Sequence, residues 1–155
     1  MAANSAVTIR RAHRDDVRII VAMLADDPLG SGRERIEDPL PPPYYRAFEA
    51  VEKDPNIQLV VAEQGGAVVG CLQLCILPGS SSQGASRALI EDVRVATHCR
   101  SRGIGELLVQ WAVAQARSRE CKLVELLTHN TRVDAQRFYK RLGFLPSHVG
   151  MTLRF

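Results

Sequence analysis

The sequence lacks the spacings that hold metals and disulfides. Its four cysteines, Cys71, Cys75, Cys99 and Cys121, form no CxxC pair, and His13, His98, His129 and His148 are scattered. Structural zinc sites draw on closely spaced Cys and His ligands, so no metal is expected. Cys71 and Cys75 lie two strand periods apart and read as reduced core residues. A long apolar run is also missing: Ala67 to Leu77 is broken by Gly70 and Gln73 and falls short of the ~20 residues of a membrane span. The start, MAANSAVTIRRAHRDD, has no basic segment followed by an apolar one, and so no secretory leader pattern. The expectation is a cytoplasmic protein with no membrane partner. Charge of one sign is scarce too. Twenty Lys and Arg against 17 Asp and Glu leave +3, and the basic residues are spread out apart from Arg10-Arg11 and the Arg100/Arg102 pair. That is not the footprint of a nucleic-acid binder. There are no internal repeats, and no Gly-Lys-Ser/Thr to make a P-loop.

What is present is enough chain for one domain, 1–155, with a substantial core. It is organised around Ala88 to Trp111. Ala88 to Val95 is apolar and β-branched, and so strand-like. From Ile104 the period changes: Ile104, Leu107, Leu108, Trp111 and Ala112 recur at helical spacing. Between them lies Arg100-Ser101-Arg102-Gly103-Ile104-Gly105. Glycines let a backbone approach a ligand closely, and a helix start directs free N–H groups and a positive dipole end outward. With two arginines alongside, this is a site for a phosphate or pyrophosphate. A dinucleotide fingerprint fits poorly. Gly103, Gly105 and Glu125 are roughly placed, but Leu108 stands where the third glycine belongs and would hold helix and strand apart.

In chain order, Val7 to Arg10 reads as a strand. Asp15-Asp16 leads a helix carrying Val17, Ile20, Val21 and Leu24, which stops near Asp26-Asp27-Pro28. Residues 27–43 form a long Gly/Pro-rich charged loop, either a binding loop or a solvated connector. Tyr44 to Glu52 is a second helix, started by Pro43. Ile57 to Glu63 and Ala67 to Leu77 pair across Gly65-Gly66, with Gly70 a candidate bulge. A third antiparallel strand, Arg87 to Val95, feeds the glycine loop and a helix to about Arg119. Lys122 to Thr128 is a strand buried on both faces beside it across a βαβ crossover. Asn130 or Thr131 caps a helix carrying Val133, Phe138 and Leu142, with Asp134 as the capping-box partner of Thr131; Gly143 ends it. Phe144 to Phe155 closes the chain as one or two strands. The order β-α-α-β-β-β-α-β-α-β implies an α/β (α+β) fold, a mixed sheet with helices on its faces.

Arg100-x-x-Gly103-x-Gly105 after a Val-rich strand resembles the acetyl-CoA pyrophosphate loop, [RQ]-x-x-G-x-[GA], of the GCN5-related N-acetyltransferase (GNAT) family. Downstream, Ala135-Gln136-Arg137-Phe138-Tyr139-Lys140-Arg141-Leu142-Gly143-Phe144 resembles that family's A-x-x-F-Y-x-x-x-G-F block, at the expected distance. The resemblance covers nearly the whole chain. It implies the GNAT fold, a mixed sheet of about six to seven strands flanked by four helices, with acetyl-CoA as cosubstrate. The sequence departs from the commoner N-x-x-A-x-x-F-Y pattern: Arg132 sits where the asparagine would, and Asn130 lies two positions early. Asn130 is therefore either a cofactor contact or a plain helix cap.

Acetyl transfer from a thioester to an amine requires a held donor, a neutral amine, a stabilised oxyanion and a protonated leaving thiolate. Residues Arg100, Ser101, Arg102, Gly103, Ile104 and Gly105 would hold the donor. The resemblance adds Val93 and Val95 alongside the pantetheine arm, with a backbone N–H facing the thioester oxygen; such a donor stabilises a developing oxyanion. Glu91 is the candidate base, sharing a strand face with Val93 and Val95 by period 2. A bulge would turn Asp92 inward instead, or both acids are exposed or paired with Arg94. Tyr139 is the candidate acid, since a phenol can protonate a thiolate, and the aligned tyrosine does so in relatives.

The resemblance leaves the acceptor to the first two helices and their loop, here including Arg33, Glu34, Arg35, Tyr44 and Tyr45. The expected activity is acetyl-CoA-dependent N-acetyl transfer to a primary amine of a small molecule. The Leu89 to Val93 run and the Gly150-Met151 ending also look like glucosamine-6-phosphate N-acetyltransferases, so an amino-sugar phosphate is one acceptor to consider. The alternatives are a protein or peptide acetyltransferase with an open groove, and a non-catalytic acyl-CoA-binding module. The resemblance also allows a homodimer through the C-terminal strands.

Overall fold

The computed structural model describes residues 6–155; residues 1–5, part of the segment read for a leader pattern, lie outside the described residues. The chain forms β1 (Thr8–Arg11), α1 (Val17–Ala25), α2 (Pro42–Lys53), β2 (Ile57–Gln64), β3 (Ala67–Leu77), the four-residue turn α3 (Ser81–Gly84), β4 (Arg87–Val95), α4 (Ile104–Ser118), β5 (Val124–Leu126) and α5 (Val133–Arg141). In α3, Ser82 and Gln83 have positive φ. The five strands lie in sequence order. The first four are antiparallel, and β5 joins β4 in parallel after the α4 crossover.

Hydrophobic burial holds these layers together. Leu72, Leu74, Ile104, Leu108 and Val109 are fully buried in one cluster that joins the sheet to α4; each such side chain contributes roughly 1.5–3 kcal/mol relative to exposure. Gly70 belongs to this contact: a Cβ there would lie 2.9 Å from the carbonyl oxygen of Arg94 and 3.1 Å from Leu108. Leu108, the residue that breaks the dinucleotide motif, is itself a core residue. On the opposite face α1 and α2 close over the sheet through Val17, Val21 and Phe48, joined by Leu40 from the loop between them, with Leu59 packed against them. Cys71 is buried in the sheet, and burial pushes its thiol up to about 12.

The observed elements depart from the expected ones at several points. The β2–β3 irregularity falls at Val69, opposite the Ala62/Glu63 step, next to Gly70 instead of on it. The strand expected over Lys122 to Thr128 shortens to three half-buried residues, because its pairing with β4 ends at Ile90↔Leu126. The helix expected to be capped by Asn130 or Thr131 starts after Arg132, with no side-chain cap. Thr131 is held by His129 instead, their side chains 2.7 Å apart. Finally, Phe144 to Phe155 forms no strand, so among the described residues the sheet has five strands, not six or seven. Val149, Met151, Leu153 and Phe155 alternate as a strand would, but all four are exposed.

Candidate active site

The cavity opens where β4 and β5 part. Their parallel pairing stops at Ile90↔Leu126, so from Glu91 to Val95 that edge of β4 has no strand partner. The same segment carries a bulge. Gln73 pairs with Glu91 and Cys71 with Arg94, leaving Asp92 and Val93 opposite Leu72. Asp92 takes φ 52°, a left-handed conformation that non-glycine residues seldom adopt; bulges of this kind re-aim side chains next to active sites. A cavity of about 970 Å³ follows, walled by Glu91, Asp92, Val93 and Val95 on one side and by Leu126 and Thr128 on the other.

The bulge corrects the expected strand faces. Gln73 and Cys71 share a face of β3, so their partners Glu91 and Arg94 share a face of β4. Val95 pairs with Gly70 and packs towards α4, its methyl 3.7 Å from the Cβ position of Gly105. Glu91 is therefore not aligned with Val93 and Val95. Nor is either acid paired with Arg94. Glu91 accepts a hydrogen bond from Gln73 (3.3 Å), Arg94 turns to Asp27, and both Glu91 and Asp92 are exposed at the cavity.

The glycine loop forms the floor. Ser101 and Gly103 have φ 61° and 80°; Gly103 stands at the N-terminus of α4 with no side-chain cap. The first N–H groups of a long helix are thus left to bind an anion. Gly103, Ile104 and Gly105 line the cavity, as do Arg100 and Ser101. At Gly103 the backbone angle is what requires glycine, because a Cβ there would meet nothing within 4 Å. At Gly105 neither angle nor space requires glycine: a Cβ there would make ordinary contact with Phe138, at 3.4 Å. Arg100 is anchored, donating to the carbonyl oxygens of Val95 and Asp26 (3.3 Å each). Arg102 and Asn130 do not line the cavity.

The roof is made of side chains. Asp26 and Asp27, at the end of α1, reach three separate segments. Asp26 accepts from the Thr97 hydroxyl and sits near Arg100. Asp27 accepts from Arg132 at 2.7 Å, lies 3.4 Å from Arg94, and also accepts the backbone N–H groups of Leu29 and Gly30. Burial pushes the Asp27 carboxyl up, but Arg132 and the two N–H groups outweigh it and hold the carboxyl below its usual range. Tyr139 lines the same cavity, its ring edge-on to Phe138 and Phe144. Burial raises its phenol above the ordinary value, opposed by Arg94 and Arg132, so it stays protonated through neutral pH. Of the residues expected around the acceptor, Arg33 lines the cavity. Tyr44 is bonded to Glu34 and to the N–H of Arg35, and Tyr45 lies under Arg14.

The sequence profile of the Acetyltransferase (GNAT) family matches residues 10–144. The chain belongs to that family. It is 35% identical over 108 residues, 68% of each chain, to the aminoalkylphosphonate N-acetyltransferase of Salmonella typhimurium, and as a GNAT protein with such a relative it is an N-acetyltransferase. Among solved structures it resembles a transcriptional regulator from Bacillus halodurans C-125, at 48% identity and TM-score 0.94 over 97% of this chain and all of that one. The fold also matches glucosamine-6-phosphate N-acetyltransferase from Arabidopsis thaliana, at TM-score 0.78 and 19% identity over 97% and 99% of the two chains.

For a GNAT chain the unanticipated feature is the roof. Asp27 and its two arginines come from three distant segments, and period alone does not bring them together. The one visible signal was Arg132 at the position of the motif's asparagine.

Proposed function

We propose that this N-acetyltransferase uses acetyl-CoA and transfers the acetyl group to a primary amine of a small molecule by direct attack on the thioester. The carrying observation is the single cavity that has the uncapped N-terminus of α4 at its floor and the protonated Tyr139 and the two β4 carboxylates in its walls. Acetyl-CoA supplies the activated acyl group. The residues fit its pyrophosphate: Gly103, Ile104 and Gly105 offer backbone N–H groups, and Arg100 adds positive charge. Val93 and Val95, on the β4 edge that β5 leaves free, suit the pantetheine arm.

The chain's own residues would then act as follows. Glu91 or Asp92, exposed to the cavity, takes the ammonium proton, directly or through water. A backbone N–H beside the bulge donates to the developing oxyanion. Tyr139 gives its phenolic proton to the departing sulfur. Asn130 lies away from this machinery, which favours a structural role for it. Acceptors to screen include aminoalkylphosphonates, from the Salmonella relative, together with amino-sugar phosphates, aminoglycosides and polyamines. The exposed alternation of Val149, Met151, Leu153 and Phe155 supports a homodimer through this tail, which sedimentation would test.

Calorimetric titration with acetyl-CoA, beside NADH and ATP, tests the donor site. Micromolar binding of acetyl-CoA alone is the expected outcome. Its absence would remove the glycine-loop reading.

A further inference from the structure

We propose that Arg94 and Arg132 form a subsite for an acidic group on the acceptor, so that the substrate is a short zwitterion: a primary amine with a phosphonate, phosphate or carboxylate a few bonds away. This rests on the reading above that the cavity holds the acceptor amine.

The charges in the roof do not balance. Two guanidinium groups, from Arg94 and Arg132, share the one carboxylate of Asp27. The sharing is uneven. Oδ1 of Asp27 takes Arg132 and the N–H groups of Leu29 and Gly30. Oδ2 faces only Arg94, at 3.4 Å, and makes no hydrogen bond. Arg94 spends one nitrogen on the Val93 carbonyl oxygen, at 2.9 Å. Its Nε is buried and has no hydrogen-bond partner among the described residues. Buried donors are ordinarily satisfied, and an orphan calls for an explanation. Arg94 and Arg132 both line the cavity, beside Tyr139. Guanidinium groups recognise oxyanions through paired N–H bonds, so an acidic group on the ligand would meet the exposed parts of Arg94 and Arg132 and balance their surplus charge.

The β4 bulge sets the length of that ligand. Glu91 and Arg94 stand opposite Gln73 and Cys71, one alternate-residue step apart on one face, or about 7 Å between backbone positions. A carboxylate and a guanidinium at that spacing match an amine and an acid on the same small molecule. A polyamine or a neutral amine would bring no second acid to the two guanidinium groups that share Asp27.

The test uses methylphosphonate and acetate, which carry the acid without the amine, titrated calorimetrically into the full chain with and without saturating CoA. Because CoA fills the glycine loop, binding that persists beside it reports the second site, and the better of the two probes identifies the acid. Arg132→Gln and Arg94→Gln are expected to weaken that binding by about tenfold or more. Asp27→Asn keeps the Oδ1 acceptor but removes the competing charge, so it is expected to tighten binding by at least ~3-fold; a merely structural role for Asp27 would weaken it. Absence of binding beside CoA, or binding that the arginine variants leave unchanged, overturns the subsite. Failure of acetyl-CoA itself to bind, with methylphosphonate still captured through Arg132, would remove the donor reading and leave the subsite standing.

Discussion

The floor and the roof of the cavity are built on different principles. The floor is backbone: a left-handed Ser101, a left-handed Gly103 and the uncapped start of α4. Its specificity resides in conformation, and its charge is a fixed dipole that no pH change removes. The roof is side chains: Asp26 and Asp27 gripping Thr97, Arg100, Arg94 and Arg132 across long stretches of sequence. Its charges are discrete, titratable and exchangeable for a ligand's. A fixed floor suits a cosubstrate common to many reactions, and an adjustable roof suits the partner that distinguishes them.

The change expected to separate the two most sharply is Tyr139→Phe. Loss of a general acid costs about 10²- to 10⁴-fold in turnover, while acetyl-CoA affinity, which the proposal assigns to the floor, is expected to stay nearly constant. Turnover equal to the parent's in steady-state assays would take Tyr139 out of the chemistry. Next in size is Gly103→Ala. A Cβ meets nothing there, so the cost is the positive φ alone, about 1–2 kcal/mol in denaturant titrations, with weakened acetyl-CoA binding. Gly105→Ala, inside the helix, should be nearly neutral in stability, since helix propensity offsets the contact with Phe138. If the two variants behave alike, the floor does not depend on the Gly103 backbone angle.

The roof should respond to acid before the floor does. The roof carboxyl of Asp27 is held below its usual range, as is that of Asp16, which lies outside the roof beside Arg10. For Asp16, burial opposes the shift, and Arg10 and the His13 N–H outweigh it. A depressed carboxyl contributes stability above its unfolded pKa and loses it as pH falls through the folded value. Melting temperature should therefore drop on acidification below about pH 4, with a shallower drop in Asp27→Asn and Asp16→Asn. An acid limb identical in all three proteins would deny both carboxyls that role. The smallest effect is expected at Arg87→Ala. Its 2.7 Å pair with Glu125 is exposed and belongs to neither wall, so stability should move by less than about 1 kcal/mol in thermal melts.

The floor was legible in the sequence for the same reason that it is rigid. The left-handed angle at Gly103 favours glycine, and a helix start changes the apolar period, so Gly103 and Ile104 announce themselves locally. The four principal helices and β1 to β4 were legible through periodicity and turn residues. Glu91 and Arg94 on one face were not, because a single extra residue at Asp92 inverts every alternation after it, and nothing in LIEDVRV marks the bulge. Asp27 was read as a helix stop. Its pairing with Arg132 depends on how α1, β4 and α5 meet in space, and residue type does not encode that. The tail from Phe144 misled in the opposite direction: it has a strand's alternation but pairs with no strand among the described residues.

The buried sulfurs give this molecule an internal clock. Only a thiolate reacts quickly with disulfide or alkylating reagents, and Cys71, buried with its thiol pushed up to about 12, is close to inert while the fold stays closed. Cys121, only partly buried, is the more accessible of the two. Mass-resolved labelling over time would thus register Cys121 first and Cys71 last. The interval between them measures how often the β3–β4 sheet centre opens, in a protein that needs no added probe to report it.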